Sequence, residues 1–348
     1  MSHIYLTSDD LKIGISQGRL TIKSRDDADK EQECEERDIP LATVDSINVF
    51  GGSQLSTQLI RQCLTEGIPI GYFSEEGHYF GRISAFATLD PERQKKQVLL
   101  TDNKEFCLTW SKAVIAAKIL NSLALLHSMS NIYSFSESEL HGIVHSLKAL
   151  DEASSVDMAL GFEGNAAKTY FQCLSKLICV NEFAFQGRST RPPKDPVNAM
   201  LSYGYSLFHR NIIGAIERHG LHPYFGFMHK IKRGHAALAS DLIEELRAPL
   251  VDKTVLELVN SGEISVNGFT QAENGGIYMS RSVMKSLTDA LTSAMNNRLG
   301  YFSAYDDGKK YSFQSMLDKK ICSVIEAVEN HNAKFYTPII WENEHEQS

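Results

Sequence analysis

Between Leu221 and Leu250 the chain reads L-H-P-Y-F-G-F-M-H-K-I-K-R-G-H-A-A-L-A-S-D-L-I-E-E-L-R-A-P-L. His222 and His229 sit in a glycine-punctuated turn, Lys230, Lys232 and Arg233 form a basic cluster, and Asp241, Glu244 and Glu245 follow on a predicted helix. An imidazole and carboxylates this close form a mixed nitrogen and oxygen donor set. Such a set suits Mn²⁺ or Mg²⁺ better than the sulfur-rich sites that zinc prefers. With a basic loop beside it, the chemistry indicated is a metal working on a phosphate backbone. The stretch by itself leaves other roles open. Asp241 and Glu244 are neighbours on one helix flank, a spacing also common on solvated faces, and a lone histidine also serves structurally.

A further ligand has to come from elsewhere. The helix predicted at about 154–180 carries Leu160, Ala167, Phe171 and Leu174 on one face, and Glu163 falls in the same stripe. A carboxylate there is desolvated unless paired, and an unpaired buried charge is costly. Glu163 is therefore either a metal ligand or half of a buried ion pair. Gly161 and Gly164 flank it; each weakens the helix by about 1 kcal/mol relative to alanine and lets a backbone or ligand come close. The loop Gln186–Pro196, Q-G-R-S-T-R-P-P-K-D-P, is stiffened by Pro192, Pro193 and Pro196. It presents Arg188, Arg191 and Lys194, suited to phosphate contact or to simple solvation. Tyr203 and Tyr205 follow on a helix, where core packing competes with stacking on bases.

These residues need a scaffold. A chain of 348 residues is long for one core and suggests two domains. Residues 1–87 read as short strands, with Ser16-Gln17-Gly18 as a hairpin turn and one helix capped by Ser53 and ended near Gly67. Residues 88–100, polar and containing Pro91, read as a linker. From Asn103 onward the periodicity is helical, with helices expected at about 136–151, 154–180, 196–219, 236–259, 280–297 and 312–330. The fold class is α+β: a β-sandwich-like N-terminal domain, then a mostly α-helical catalytic domain over 101–337 and a tail at 338–348.

Net charge is −8, which disfavours a general nucleic-acid coating. The distribution is uneven. Residues 25–38 hold eight acids against three bases and read as a solvated hairpin extension, whereas residues 186–235 hold eight Lys or Arg against two acids. The basic surplus is a localised footprint. Six scattered cysteines without a C-x-x-C pair fit a reduced cytoplasmic compartment. No secretory signal and no apolar run of membrane-spanning length is visible.

Four linked motifs, F-E-G-N-A-A, R-P-P-K-D-P-V-N-A-M-L-S-Y-G-Y, L-H-P-Y-F-G-F-M-H and S-D-L-I-E-E-L-R-A-P-L-V-D, occur in the order and approximate spacing of a known family. The chain resembles, over its whole length, the CRISPR-associated integrase-endonuclease of spacer acquisition, the Cas-one family. The resemblance implies that Glu163, His229 and Glu244 are the catalytic metal ligands, with Asp241 supporting them from behind, and that the cofactor is Mg²⁺ or Mn²⁺. It implies a homodimer, a small partner protein of the Cas-two family, and double-stranded DNA as substrate: a short prespacer duplex inserted into a CRISPR repeat by 3′-hydroxyl attack on a phosphodiester. Arg188, Arg191, Lys230, Lys232 and Arg233 are the candidate DNA contacts. Two departures stand out: His222 replaces a common aspartate, and A-A-L-A-S-D replaces the usual S-L-A-L-D. Both bear on local packing. The alternatives are a non-catalytic DNA-binding architectural subunit and a bundle-type carboxylate enzyme. The latter normally needs Glu-x-x-His pairs on facing helices, and residues 236–259 contain none.

Overall fold

The computed structural model describes residues 2–6, 11–24, 39–74, 79–85, 90–296 and 313–341. The chain divides into two compact units, Met1–Ala87 with Met279–Thr288, and Thr88–Tyr278 with Asp289–Ser348. The acidic segment 25–38 lies outside the described residues. Among those that are described, no helix is long and apolar enough to cross a membrane, and Cys63, Cys107, Cys173, Cys179 and Cys322 are free thiols.

The first unit holds strands β1 (Ser2–Leu6), β2 (Leu11–Ser16), β3 (Arg19–Ser24), β4 (Ile39–Pro40), β5 (Val44–Phe50), β6 (Gln54–Leu55), β7 (Ile70–Phe73) and β8 (Tyr79–Ile83), with helix α1 (Thr57–Glu66). They form two four-stranded sheets, ordered β1-β5-β7-β8 and β4-β3-β2-β6. Ile13 and Leu20 from one sheet, Ile47, Val49 and Ile70 from the other, and Leu59 and Cys63 from α1 make one core. The β2–β3 turn puts Gln17 and Gly18 at positive φ (49° and 74°), the twist a two-residue hairpin favours. The cap of α1 is Ser56, whose side chain accepts from Leu59 N, and not Ser53. Leu55 is taken by pairing with Ile13, so the helix starts later than its apolar residues suggest.

The second unit is helical: α2 (Pro91–Leu100), α3 (Lys104–Ser128), α4 (Glu137–Ala149), α5 (Val156–Lys176), α6 (Pro196–Arg218), α7 (Ala237–Ile243) and α8 (Lys253–Asn260), with the short hairpin β9 (Phe269–Gln271) and β10 (Ile277–Met279); of α9 (Arg281–Asn296), the residues to Thr288 belong to the first unit and the rest to the second, which also holds α10 (Phe313–Glu329). Residues 88–100 are not a plain linker. Asp90 caps α2 by accepting from Arg93 N, with Pro91 in the first turn. Gln97 on α2 is fully buried. The C-terminal residues also depart from expectation, since Ile339 and Trp341 are buried.

The expected single helix over 236–259 is distorted. After α7 the chain tightens at Glu244–Leu246, then widens into a π-helical stretch over Arg247–Asp252 before α8 resumes. Pro249 lies in that stretch; it has no N–H to donate and its ring crowds the preceding turn. Adjacent positions on a helical turn do not face each other, so Glu244 and Glu245 serve different neighbourhoods. Glu245, fully buried, accepts from Tyr336 Oη (2.5 Å), Ile339 N (2.8 Å) and the fully buried Lys320. Asn121 on α3 donates to the carbonyls of Glu245 (2.6 Å) and Ile339 (2.8 Å) and accepts from Trp341 N (2.7 Å). This network fastens the chain end to the core beneath the distorted helix.

Removing the cation of this network leaves a buried uncompensated carboxylate. Lys320→Met is expected to destabilise the protein by about 3–5 kcal/mol, read by urea unfolding. A second dependence comes from His209 on α6, whose Nε2 lies 3.2 Å from Ser240 Oγ on α7. Burial pushes His209 down to about 4, against the smaller opposing pull of the Ala236 carbonyl. Its folded pKa is depressed, so the stability it contributes is complete above about pH 6.5 and is lost as pH falls toward about 4, by roughly 3 kcal/mol. His209→Gln is expected to flatten unfolding free energy against pH in that window.

Candidate metal centre

The loop ahead of α7 is held from three sides. Gln97 donates to the carbonyls of His222 (2.8 Å) and Phe225 (2.6 Å) and accepts from His222 N (2.8 Å). Phe227 packs edge-on against Trp110 and Phe106, with ring centroids at 5.0 and 4.8 Å. Gly226 lies so close to α7 that a Cβ would come within 2.6 Å of the Ala237 carbonyl carbon and 2.8 Å of Asp241 Oδ2. Only glycine allows this approach.

The third hold is Asp241, fully buried on α7. Its Oδ2 accepts from the backbone N–H of Phe227 (2.7 Å) and Met228 (3.1 Å), and its Oδ1 from His229 N (2.9 Å) and His229 Nδ1 (2.8 Å). A carboxylate can only accept, so Nδ1 carries a proton, and in the neutral imidazole Nε2 is the nitrogen with the free lone pair. Nε2 faces Glu244, 3.9 Å from Oε1. Burial pulls the His229 pKa down, but the hydrogen bond to Asp241 and the charges of Asp241 and Glu244 prevail and raise it. His222 does not join this cluster. Its Nδ1 accepts from Tyr224 N at 3.3 Å and its ring packs on Tyr224 and Phe225.

Glu244 is 6% exposed. Burial alone would raise its pKa, yet Arg247, Lys118 and His229 hold it down at about 2. Arg247 Nη2 lies 2.9 Å from Oε1, and Lys118 Nζ on α3 lies 2.6 Å from Oε2. The same ammonium pairs with Glu163 Oε1 on α5. Burial disfavours the charged form of Lys118, but Glu244 and Glu163 outweigh it and raise its pKa. Glu163 and Glu244, on different helices, thus meet at one ammonium, and His229 Nε2 lies on the other side of Glu244, 3.9 Å from its Oε1. Gly161 and Gly164 have nothing within 4 Å of an added Cβ, so close packing by a neighbouring backbone, one of the two uses expected of them, is not found.

The residues fit a small divalent cation in donor chemistry. Glu244 Oε2 is buried and, although near Lys118, receives no hydrogen bond in good geometry. A cavity of about 30 Å³, bordered by Lys118, Glu163, Tyr205, Glu244, Arg247 and Asp252, has room for a water-sized ligand. Among the described residues, no three carboxylates, imidazoles or thiols yet stand close enough to ligate together. Lys118 lies between the two carboxylates, so joint ligation requires it to withdraw.

The basic residues divide into two groups. Lys230, Lys232 and Arg233 are exposed on a tight turn whose Gly234 has φ 74°. Arg191 is exposed as well. After burial and His229, the charges of Lys232 and Arg191 are among those lowering the His235 pKa, and the His229 and His235 rings lie 5.8 Å apart. These cations share the neighbourhood of His229. Arg188 is different. Its Nη1 donates to Ser189 O (2.6 Å) and Asn198 Oδ1 (2.7 Å), its Nη2 to Ser202 Oγ (3.0 Å), and its guanidinium lies over the Tyr205 ring. It braces the proline loop instead of projecting from it. Tyr205 is likewise committed: its hydroxyl donates to Asp252 Oδ1 (2.6 Å) and Arg247 covers its ring at 4.7 Å, so it offers no face to a base.

Sequence inspection missed Lys118 and Arg247. Both had signals: Lys118 interrupts the apolar stretch V-I-A-A-K-I-L, where a charge needs a partner, and Arg247 stands three residues after Glu244.

The family model of the CRISPR associated protein Cas1 matches residues 4–293. A CRISPR-associated endonuclease Cas1 of Mycobacterium tuberculosis is 39% identical over 332 residues, covering 94% of each chain. The chain belongs to the Cas1 family. Among solved structures, a casposase bound to its integration product superposes with TM-score 0.80 at 22% identity, covering 100% of this chain and 97% of its own. A chain of a Cas6-RT-Cas1–Cas2 complex superposes with TM-score 0.75 at 21% identity, covering 97% of this chain and 36% of that one. At these identities the two structures support the shared fold.

The dependence on Asp241 is directly testable. Asp241→Ala strands three backbone N–H groups and an imidazole N–H. It is expected to cost on the order of 3 kcal/mol or more in urea unfolding, with Asp241→Asn intermediate.

Proposed function

We propose that this chain is a metal-dependent DNA integrase and endonuclease of CRISPR adaptation, which joins short duplex DNA into a CRISPR array. The observation that carries this is the pairing of Glu163 and Glu244 with one Lys118 ammonium, with the Nε2 of His229 3.9 Å from Glu244 Oε1 and an exposed basic turn following His229. Family membership supports it, as do the named activity of the mycobacterial relative and the integration product held by the casposase.

In this scheme Glu163, His229 and Glu244 hold Mg²⁺ or Mn²⁺. A divalent cation bound there supplies Lewis acidity and offsets charge gathering on phosphoryl oxygens. Asp241 keeps the proton on Nδ1 and so keeps Nε2 available for ligation. Lys230, Lys232, Arg233 and Arg191 take the phosphate backbone, and Arg188 stiffens the loop that carries Arg191. The 3′-hydroxyl of the incoming duplex attacks a repeat phosphodiester. The new P–O bond forms as the repeat strand's P–O3′ bond breaks. The attacking hydroxyl loses a proton and the departing 3′-oxygen gains one. One phosphodiester replaces another, so no external energy source is needed and no protein nucleophile is required. With water as the attacking group, the same geometry cuts DNA.

The proposed assembly is a homodimer formed through the β-rich unit, working with a small partner of the Cas2 family and double-stranded DNA. The partner is supported by the presence of Cas2 in the complex that contains the similar chain. One observation favours a non-catalytic architectural subunit: Lys118 and Arg247 already neutralise Glu163 and Glu244. In that case the cluster is structural, and DNA binding proceeds without metal and without joining.

The two functions separate in a joining assay. Labelled prespacer duplex, a plasmid-borne repeat, the small partner protein and Mn²⁺ or Mg²⁺ are expected to yield covalent product with the wild-type chain. Glu163→Gln and His229→Ala are expected to lower its yield by on the order of 10²–10³-fold while leaving dimerisation and DNA binding intact. Wild-type yields from both variants would exclude the site. Metal-independent DNA binding by a chain that never joins would favour the architectural role.

A further inference from the structure

Lys118 stands where the cation must go. Its ammonium pairs with Glu163 Oε1 and lies 2.6 Å from Glu244 Oε2, one oxygen from each of the carboxylates proposed to ligate. Its stem rises from a packed part of α3 in which Ile115, Ala117 and Ile119 are buried. The side chain is 17% exposed, so part of it already meets solvent.

The charges decide what this means. Glu163 and Glu244 bring two negative charges, and Lys118 and Arg247 bring two positive ones. A divalent cation at the same oxygens would stand directly beside the Lys118 ammonium in a largely buried site, where like charges repel strongly. The cation and the ammonium therefore compete for the same oxygens. Arg247 is the less movable rival, since its guanidinium is also stacked over Tyr205.

We infer that Lys118 is a built-in counter-ion, holding Glu163 and Glu244 together in the metal-free protein and leaving them, toward a phosphate of bound nucleic acid, when the cation enters. The inference rests on the proposed metal site and adds a coupling to it. A ligand that receives the released ammonium favours cation binding, and by thermodynamic reciprocity the cation favours that ligand. Lys118 thereby withholds full metal affinity until DNA is in place, acting as a positioning residue for the ligands.

The test is calorimetric titration of the full-length protein with Mn²⁺, with and without a short DNA duplex, alongside thermal melts. For wild type, the duplex is expected to tighten Mn²⁺ binding at least about fivefold. Lys118→Met is expected to bind Mn²⁺ at least about fivefold more tightly than wild type in the absence of DNA. Its coupling to the duplex is expected to fall to within about twofold, and its melting temperature without metal to drop and recover with Mn²⁺. Lys118→Gln, which keeps a hydrogen-bond donor but no charge, should shift both affinities the same way and covers the case in which the methionine variant does not fold. Lys118 variants that bind Mn²⁺ no more tightly than wild type, or that retain its coupling to DNA, overturn the inference. Glu244→Gln separates the two levels. If it binds Mn²⁺ as wild type does, the metal site itself fails. If it loses Mn²⁺ while the Lys118 variants behave as wild type, only the counter-ion role fails.

Discussion

The four hydrogen bonds accepted by the Asp241 carboxylate hold the centre together. Three come from consecutive backbone amides, Phe227, Met228 and His229, and one from the His229 ring. One buried charge thus closes a loop onto a helix and selects the tautomer of the imidazole that the loop carries. A buried carboxylate without donors would be expensive. Here the loop's own amides compensate it, and Gly226 makes the approach possible. Gln97 and the Trp110–Phe227 contact then hold the loop's flanks, so helices α2 and α3 act on His229 without touching it.

Around this fixed imidazole the other charges are arranged in pairs. Glu245 is answered by Lys320 and tyrosine 336, Glu244 by Arg247 and Lys118, and Glu163 by Lys118. The turn at Glu244–Leu246 points neighbouring side chains in different directions. It directs Glu245 into the core network that fastens the chain end, and leaves Glu244 facing His229. Two adjacent glutamates consequently have different partners, Glu245 in the anchoring network and Glu244 beside His229, Arg247 and Lys118. The anchoring network is rigid because its groups are fully buried and mutually satisfied. The centre keeps an opening because its side chains remain partly exposed.

Much of the fold was legible from pattern. Alternation and the Gln17-Gly18 turn marked the strands, and apolar periodicity located α3 to α6, α9 and α10 to within a few residues. The linker was misread because α2 is polar on most of its surface, and its buried face is carried by Gln97, whose value lies in hydrogen bonds that no hydropathy pattern records. The centre was half legible. Residue types and spacing marked His229, Asp241 and Glu244, and an apolar stripe marked Glu163 as a charge in need of a partner. That the partner is Lys118 depends on how α3 and α5 pack, which no local pattern contains. Arg188 shows the same limit: a basic residue in a proline loop looks like a phosphate contact until Asn198 and Ser202 prove to be within its reach.

In the proposed function, Glu163, His229 and Glu244 close on one cation while Asp241 keeps hold of the histidine. The most direct measurement is anomalous diffraction from crystals of the protein grown with Mn²⁺ and a DNA duplex. A single strong manganese peak is expected at about 2.1–2.2 Å from Nε2 of His229 and from carboxylate oxygens of both glutamates, with the Lys118 ammonium withdrawn and the Nδ1–Asp241 bond intact. Manganese bound elsewhere, with Lys118 still seated between Glu163 and Glu244, would contradict it.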